Sequence, residues 1–488
     1  MEYLKRTYQY WGILFLFLLL FLFPATLSLY SSIPIEDKKI LSARQSLLQP
    51  SSHVQPLKNN ILYQLYQPLW LNSINMGQIL VNITSTSDVF DGYNLFVLEQ
   101  RNITDPKYKH SLFITDMQGK VMAERVLPSS THKIASFRAK FINASTILLG
   151  QPDNPVLWNI YTNKSVYLGG IVGHHDYEYN PLNKTYFTFG GSPDIIINGT
   201  EYSFGSIVEL NSSGQIIWSL DTNSFISPNQ WCPFQDSKIN GTADLVHPNS
   251  IFFDVENDVL YFNARNVNTF YKIDHKTGKV LWGLGGHGNF TLFNKNGVQR
   301  PNLFYHAHAV EKVDENTFIL FDNDLHNQTN PSNRRSRILE ISINESTMTA
   351  NESWSWIAPP NYYSGAYGDA DRLPNGNRLG TFGTLWHPDK IRARLAEVNE
   401  GGELVWEMNF PQSDFVYNIY RLERFRFSPI LDSPSDITTL LEANFSITWQ
   451  TWYNFRTNIQ MLGSYTLYLD NQIIENGTHV FDKFWRPK

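Results

Sequence analysis

Three histidines open near-equivalent segments of the chain. His175 begins HDYEYNPLNKTYFTFG, His247 begins HPNSIFFDVENDVLYFNA, and His308 begins HAVEKVDENTFILFDN. Each segment reads as an apolar strand, a polar turn and a second apolar strand. A fourth such segment, GDADRLPNGNRLGTFG, begins at Gly368, and the four starts lie 72, 61 and 60 residues apart. One histidine ahead of a strand is ordinarily a turn or surface residue. Three at one phase of a repeat call for another reason, because equivalent positions converge where repeats close about an axis.

The residue types suggest the chemistry. Neutral imidazole is a competent nucleophile near pH 7, and a second imidazole can supply or remove a proton. Arg265, in NAR, offers a planar fork matched to oxyanions. Asn249, in HPNS, is a fixed donor without charge. Such a set suits transfer of an anionic group that carries several oxygens. The plainer alternatives are that Asn249 caps a turn and that Arg265 pairs with an acid such as Asp322. His306 stands two residues before His308, on the same face of a predicted strand, and His174 stands beside His175, so either could share a role. His306-x-His308 loosely fits a zinc spacing. An arginine in the same ring would oppose a cation, so no metal is expected.

What must position these residues is a repeated strand pattern. FYKIDHKTGKVLWGL (270–284) has relatives in GSIVELNSSGQIIWSL, ARLAEVNEGGELVWEM and HSLFITDMQGKVMAER, with a stretched copy at 336–356 and a loose one at 156–169. Joined to the segments that precede them, these make six units of about four strands. ASFRAKFINASTILLG (135–150) is a shorter copy of the leading segment, and residues 88–100 supply the inner part of the first unit. The expected fold is all-β, a six-bladed β-propeller over 88–427, with a lead-in at 31–87 and a small C-terminal β region at 428–488. Aromatic residues at 14% favour strands over helices, and one or two long sandwiches are the alternative.

Residues 10–30 (YWGILFLFLLLFLFPATLSLY) carry no charge, Lys5 and Arg6 precede them, and Glu36 and Asp37 follow. At 1.5 Å per residue that run spans a bilayer core of about 30 Å. Residues 1–30 are therefore expected to be a cytoplasmic tip and a membrane anchor, or a cleaved signal peptide. The positive-inside bias places the remainder outside the cytoplasm. Fourteen Asn-x-Ser/Thr sequons, from Asn82 to Asn476, exceed the roughly six expected by chance and fit a glycosylated protein. The single cysteine, Cys232, excludes an intrachain disulfide. A net charge of −6 without a basic stripe gives no reason to expect nucleic acid.

The ordered pieces GHHD (173–176), HPNS (247–250), NAR (263–265), LGGHG, HAHAV…ILFDND (306–324), SRILE and GDADRLPNGN resemble the PAPS-independent arylsulfate sulfotransferases over roughly 173–424. The resemblance implies a six-bladed propeller that moves a sulfuryl group from one phenol to another, through a transiently sulfated histidine and without a soluble nucleotide donor or other cofactor. It implies His308 as nucleophile. It further implies His247 and Asn249 as holders of the sulfuryl oxygens, Arg265 as charge clamp, and His175 as a further oxygen or phenolate contact. HAHAV departs from the family's run, which leaves His306 open beside His308. Rival readings are a quinone-dependent dehydrogenase-like propeller and a non-catalytic extracellular propeller that binds glycans or proteins.

Overall fold

The computed structural model describes residues 26–27 and 81–488, apart from 103–107, 128–136, 152–153, 171–172, 233–237, 240, 324–333, 386–390, 413–414, 433–448 and 470–471. Among these the chain is all-β, and its helical pieces are short 3₁₀ turns such as Arg265–Val267. One compact unit comprises Gln67–Phe425 with Thr457–Ile459.

Among the described residues, six antiparallel sets of four strands build that unit, with a further small sheet of Ile195–Ile197, Thr200–Ser203, Thr242–Asp244 and Lys238–Ile239. The second runs Arg138–Asn143, Thr146–Gly150, Val156–Asn159 and Ser165–Tyr167. The third runs His174–Asn180, Thr185–Gly190, Ser206–Leu210 and Ile216–Asp221. Pro248–Asp254, Val259–Ala264, Thr269–Asp274 and Val280–Gly285 form the fourth. In the fifth, His308–Asp314, Thr317–Asp322, Arg337–Asn344 and Thr349–Ile357 are extended outward by Thr291–Phe293 and Gln299–Arg300. The sixth contains Asp369–Arg372, Arg378–Phe382, Ile391–Val398 and Leu404–Pro411, with Asn82–Ser85 added at its outer edge. The first sheet takes its inner strand, Phe415–Phe425, from the far end of the chain, followed by Tyr93–Asn102, Tyr108–Thr115 and Val121–Val126. Residues 88–100 are therefore not the inner part of the first unit. The chain's last strand of the ring takes that place and ties its two ends together. The inner strands of successive sheets touch in a closed cycle, the sixth meeting the first, which is a β-propeller-like arrangement.

Burial follows the radius. Thr185–Gly190, Val259–Ala264 and Thr317–Asp322 are buried at every position, because neighbouring sheets cover both faces. Outer strands alternate toward solvent, as in Ile216–Asp221. The turns before them share one device. Asp116, Asn211 and Asn399 each accept the backbone N–H four residues on, followed or preceded by a left-handed glycine, Gly119, Gly214 or Gly402. The same chemistry accounts for part of the sequon excess. Asn143, Asn211 and Asn344 each accept both the N–H and the hydroxyl of the serine two residues later.

A glutamate on the third strand of several sheets reaches the next sheet. Glu340 holds Arg378 (2.9 Å) and Arg372, Glu397 holds Arg424 (3.0 Å), and Glu209 holds His275 (3.0 Å). His275 is also bonded to Asp258 at 2.7 Å. Burial opposes its charge, but Glu209 and Asp258 win and raise its pKa above the ordinary 6.5. Its contribution to stability is therefore complete below pH of about 6.5 and lost as pH rises through the raised value. Urea denaturation of wild type and His275→Gln should show a stability gap that is widest at mildly acidic pH and narrows toward alkaline pH; a gap independent of pH would refute the clamp.

The second compact unit includes Arg426–Arg456 and Gln460–Lys488. Its hairpin, Met461–Leu469 with Gln472–Phe481, and the pair Ile430–Asp432 with Gln450–Trp452 accompany a small buried cluster containing Tyr453, Phe455, Phe481 and Trp485. Thr26 and Leu27 pair in parallel with Ser464 and Tyr465. The rest of the expected 10–30 membrane segment lies outside the described residues, among which no helix is long and apolar enough to cross a membrane.

Candidate active site

The inner strands begin with strained backbone. His175 (φ 64°), His247 (φ 48°) and Tyr367 (φ 63°) are left-handed, at the start of the third, fourth and sixth sheets, and Ala309 (φ 53°) follows His308 in the fifth. Register shifts fall at the same places, between His174 and Tyr177, between Pro248 and Ser250, and between His308 and Glu311. A bulge of this kind re-aims side chains at a sheet end, and left-handed non-glycine backbone persists only where its surroundings enforce it. The imidazoles of His175 and His247 lie 4.9 Å apart, centroid to centroid. Tyr420, from the inner strand of the first sheet, has its ring 5.9 Å from His175 and 6.0 Å from His308. His175 and His308 thus flank one tyrosine, and His247 packs against His175.

His308 is buried, and its Nδ1 lies 2.7 Å from Asn323 Oδ1. The Asn323 amide donates to the carbonyls of Ser364 (2.6 Å) and Tyr367 (2.9 Å), so Oδ1 is left to accept. His308 Nδ1 must therefore carry the proton, and Nε2 keeps its lone pair. Burial, then the Arg265 charge, with smaller contributions from Arg421 and His247, push its pKa well below 6.5. The ring is neutral, the nucleophilic form, at pH 7.

His247 Nδ1 meets the Asp244 carboxylate at 2.5 Å. Burial would raise Asp244, yet His247 overrides it and holds the acid below its usual range. His174 and His175 share a 2.5 Å contact between their Nδ1 atoms, one donor and one acceptor. Burial lowers His174 to about 4 and His175 well below 6.5, assisted by neighbouring imidazoles.

Arg265 sits in the 3₁₀ turn after the second strand of the fourth sheet and is 5% exposed. Its guanidinium donates to Asn266 Oδ1 (2.8 Å) and to the Gly365 carbonyl (3.2 Å). No carboxylate among the described residues pairs with it, and burial lowers its pKa despite the pull of Asp244. Asp322, the acid that could have neutralised it, binds Arg337 instead at 2.7 Å. A buried guanidinium held by neutral acceptors is a seat for an anion.

Two expectations change. The Asn249 amide donates to the Ala307 carbonyl (2.8 Å), and its oxygen accepts from Asn263 (2.7 Å). Its own carbonyl accepts from Tyr420 and Arg421. Asn249 is thus a fully buried strut that carries the fourth sheet's inner strand against the segment before His308. His306 is not on a strand face shared with His308. It precedes the strand, is left-handed (φ 54°) and fully buried, and its N–H donates to Asn268.

The sequence reading missed the charged layer beside these histidines. Arg138 contacts Asp176 (2.7 Å), Glu423 (3.4 Å) and Glu311 (3.5 Å), and Arg421 contacts Asp369 (2.9 Å). All six stand on inner strands, of the first, second, third, fifth and sixth sheets. Asp176 and Asp369 also accept backbone N–H groups of the next inner strand, from Ile251 and Leu422, and Ser250 accepts from Val310 in the same way. Asp176 in GHHD and Asp369 in GDAD occur at one repeat phase, which was the available signal. A cavity of ≈ 250 Å³ is lined by His174, His175, Phe204, Asp244, His247 and Pro248, among others. Its lining includes His174, His175 and His247 and does not reach His308. No three His, Cys, Asp or Glu side chains among the described residues are arranged to hold a metal ion.

Several solved structures match at low similarity. They include the dihydro-heme d1 dehydrogenase NirN (10% identity, 65% of this chain and 74% of that one, TM-score 0.30). The Synechocystis apocarotenoid oxygenase follows (10%, 76% and 86%, 0.32), as does Saccharomyces cerevisiae Sqt1 (9%, 63% and 69%, 0.29). Likenesses this distant carry no argument about chemistry. No curated protein matches the chain. The model of the arylsulfotransferase (ASST) family, however, matches residues 78–421, and the chain belongs to that family.

Proposed function

We propose that the chain is an aryl-sulfate sulfotransferase that moves a sulfuryl group between phenols through a sulfated His308. The observation that carries this reading is His308, a buried residue with Nε2 unprotonated, within the influence of a guanidinium that pairs with no carboxylate among the described residues. The Nε2 lone pair attacks sulfur, the S–O(aryl) bond breaks, and its electron pair leaves with the phenolate. Arg265 takes up charge on the sulfuryl oxygens as it shifts. His247, seated on Asp244, gives the departing phenolate a proton. It then removes one from the acceptor phenol, whose oxygen attacks sulfur and frees His308. No nucleotide donor or cofactor enters either half. The six sheets and the closed cycle of inner strands support a six-bladed propeller as the scaffold.

The test is incubation of purified protein with a chromogenic phenyl sulfate, with and without a second phenol. Release of the first phenol with sulfation of the second is expected, with ping-pong kinetics. Ester binding without phenol release would return the ring of histidines to a recognition role.

We further infer an extracytoplasmic location, tethered through residues 10–30. The uncharged run and its basic flank support this, as do nine exposed sequon asparagines, among them Asn82, Asn198 and Asn289. Protease added to intact cells should remove the domain, and N-glycosidase should shift its mass. Protection until lysis would overturn the orientation.

A further inference from the structure

Two histidines of the site differ in what holds Nδ1. His247 faces a carboxylate, Asp244 at 2.5 Å, whereas His308 faces a neutral amide, Asn323 at 2.7 Å. A carboxylate suits a ring that must carry and release a proton. The amide suits something else. Asn323 is fully buried, and its two donor bonds to Ser364 and Tyr367 forbid the flipped orientation. Ser364 is itself buried and bonded to Ser336 through both its carbonyl and its N–H.

We propose that Asn323 is a positioning residue that directs attack through His308 Nε2 and keeps the sulfated ring ready to give up its group. The inference rests on the transfer chemistry proposed above. When Nε2 bonds to sulfur, the ring still holds its Nδ1 proton and becomes a cation, balanced by the sulfuryl negative charge. When an acceptor oxygen attacks sulfur, the S–N electron pair returns to the ring, and neutral imidazole departs. Neutral imidazole is a good leaving group only while Nδ1 stays protonated. A carboxylate at position 323 would draw that proton away and turn the departing group toward imidazolate, a far poorer one. A neutral acceptor orients the ring without taking its proton.

The consequence is a split between the two half-reactions, which a merely structural role for Asn323 would not produce. Full-length Asn323→Asp, mixed with sulfur-labelled phenyl sulfate, should still release a first burst of phenol and accumulate label on histidine. Discharge of that label to an added phenol should slow at least tenfold. Asn323→Ala should slow both halves and divide the label between the two ring nitrogens. In wild type the label should sit on Nε2, read by NMR of the isolated sulfated peptide, a measurement that does not depend on any variant folding. Wild-type label on Nδ1, or discharge from Asn323→Asp at the wild-type rate, would overturn the inference. A wild type that takes no label at all would instead sink the transfer reading beneath it.

Discussion

His308→Ala should release no phenol from an aryl sulfate, even when no acceptor is present, and should take up no sulfur label. The expected loss is roughly 10⁴-fold or more, the scale on which a covalent nucleophile is removed. The other imidazoles are committed elsewhere: His174 and His175 to each other, and His247 to Asp244. His306 lies fully buried ahead of the strand that His308 opens. His306→Ala should therefore be the milder variant, and peptide mapping of the labelled wild type separates the two positions. Label at His306 would move the nucleophile by two residues. Full transfer activity in His308→Ala, with no labelled histidine, would end the covalent mechanism. The pH profile gives a second check. Because the His308 pKa lies well below 6.5, its nucleophilic form persists as pH falls through 6.5. The donor half-reaction of wild type should show its acid limb only at lower pH.

Arg265→Ala should cost roughly 10²–10³ in donor cleavage, the scale for removing a strong oxyanion contact. Arg265→Lys should recover part of it, since a point charge replaces the charge but not the fork. The distinguishing sign is again in the pH profile. Arg265 is the largest charge holding down the His308 pKa and also helps to lower that of His175. Removing it lets His308 bind a proton more readily, so the acid limb of kcat/KM should move to higher pH in Arg265→Gln. A variant that loses rate with no shift in that limb would place Arg265 outside the electrostatic reach of the nucleophile.

Much of this protein was legible in its sequence because the signals are local and repeated. Apolar strands broken by Asn, Asp and Gly turns have one period, and that period by itself determined an all-β fold of repeated strand units. The phase of His175, His247 and His308 within the period determined that they would meet, since equivalent positions in a closed ring share an axis. Tertiary structure decided what each of them contacts. Asn249 reads in HPNS as a donor for a ligand, yet its amide donates to the carbonyl of Ala307, 58 residues away. His306 reads as strand, but a left-handed residue ahead of the strand removes it from that face. The inner strand of the first sheet comes from Phe415–Phe425, where closing the ring outweighs proximity in sequence. The partner of His308 is an amide and that of His247 a carboxylate. No period in the chain encodes this difference, because hydrogen-bond partners are chosen by which strands and loops meet in space.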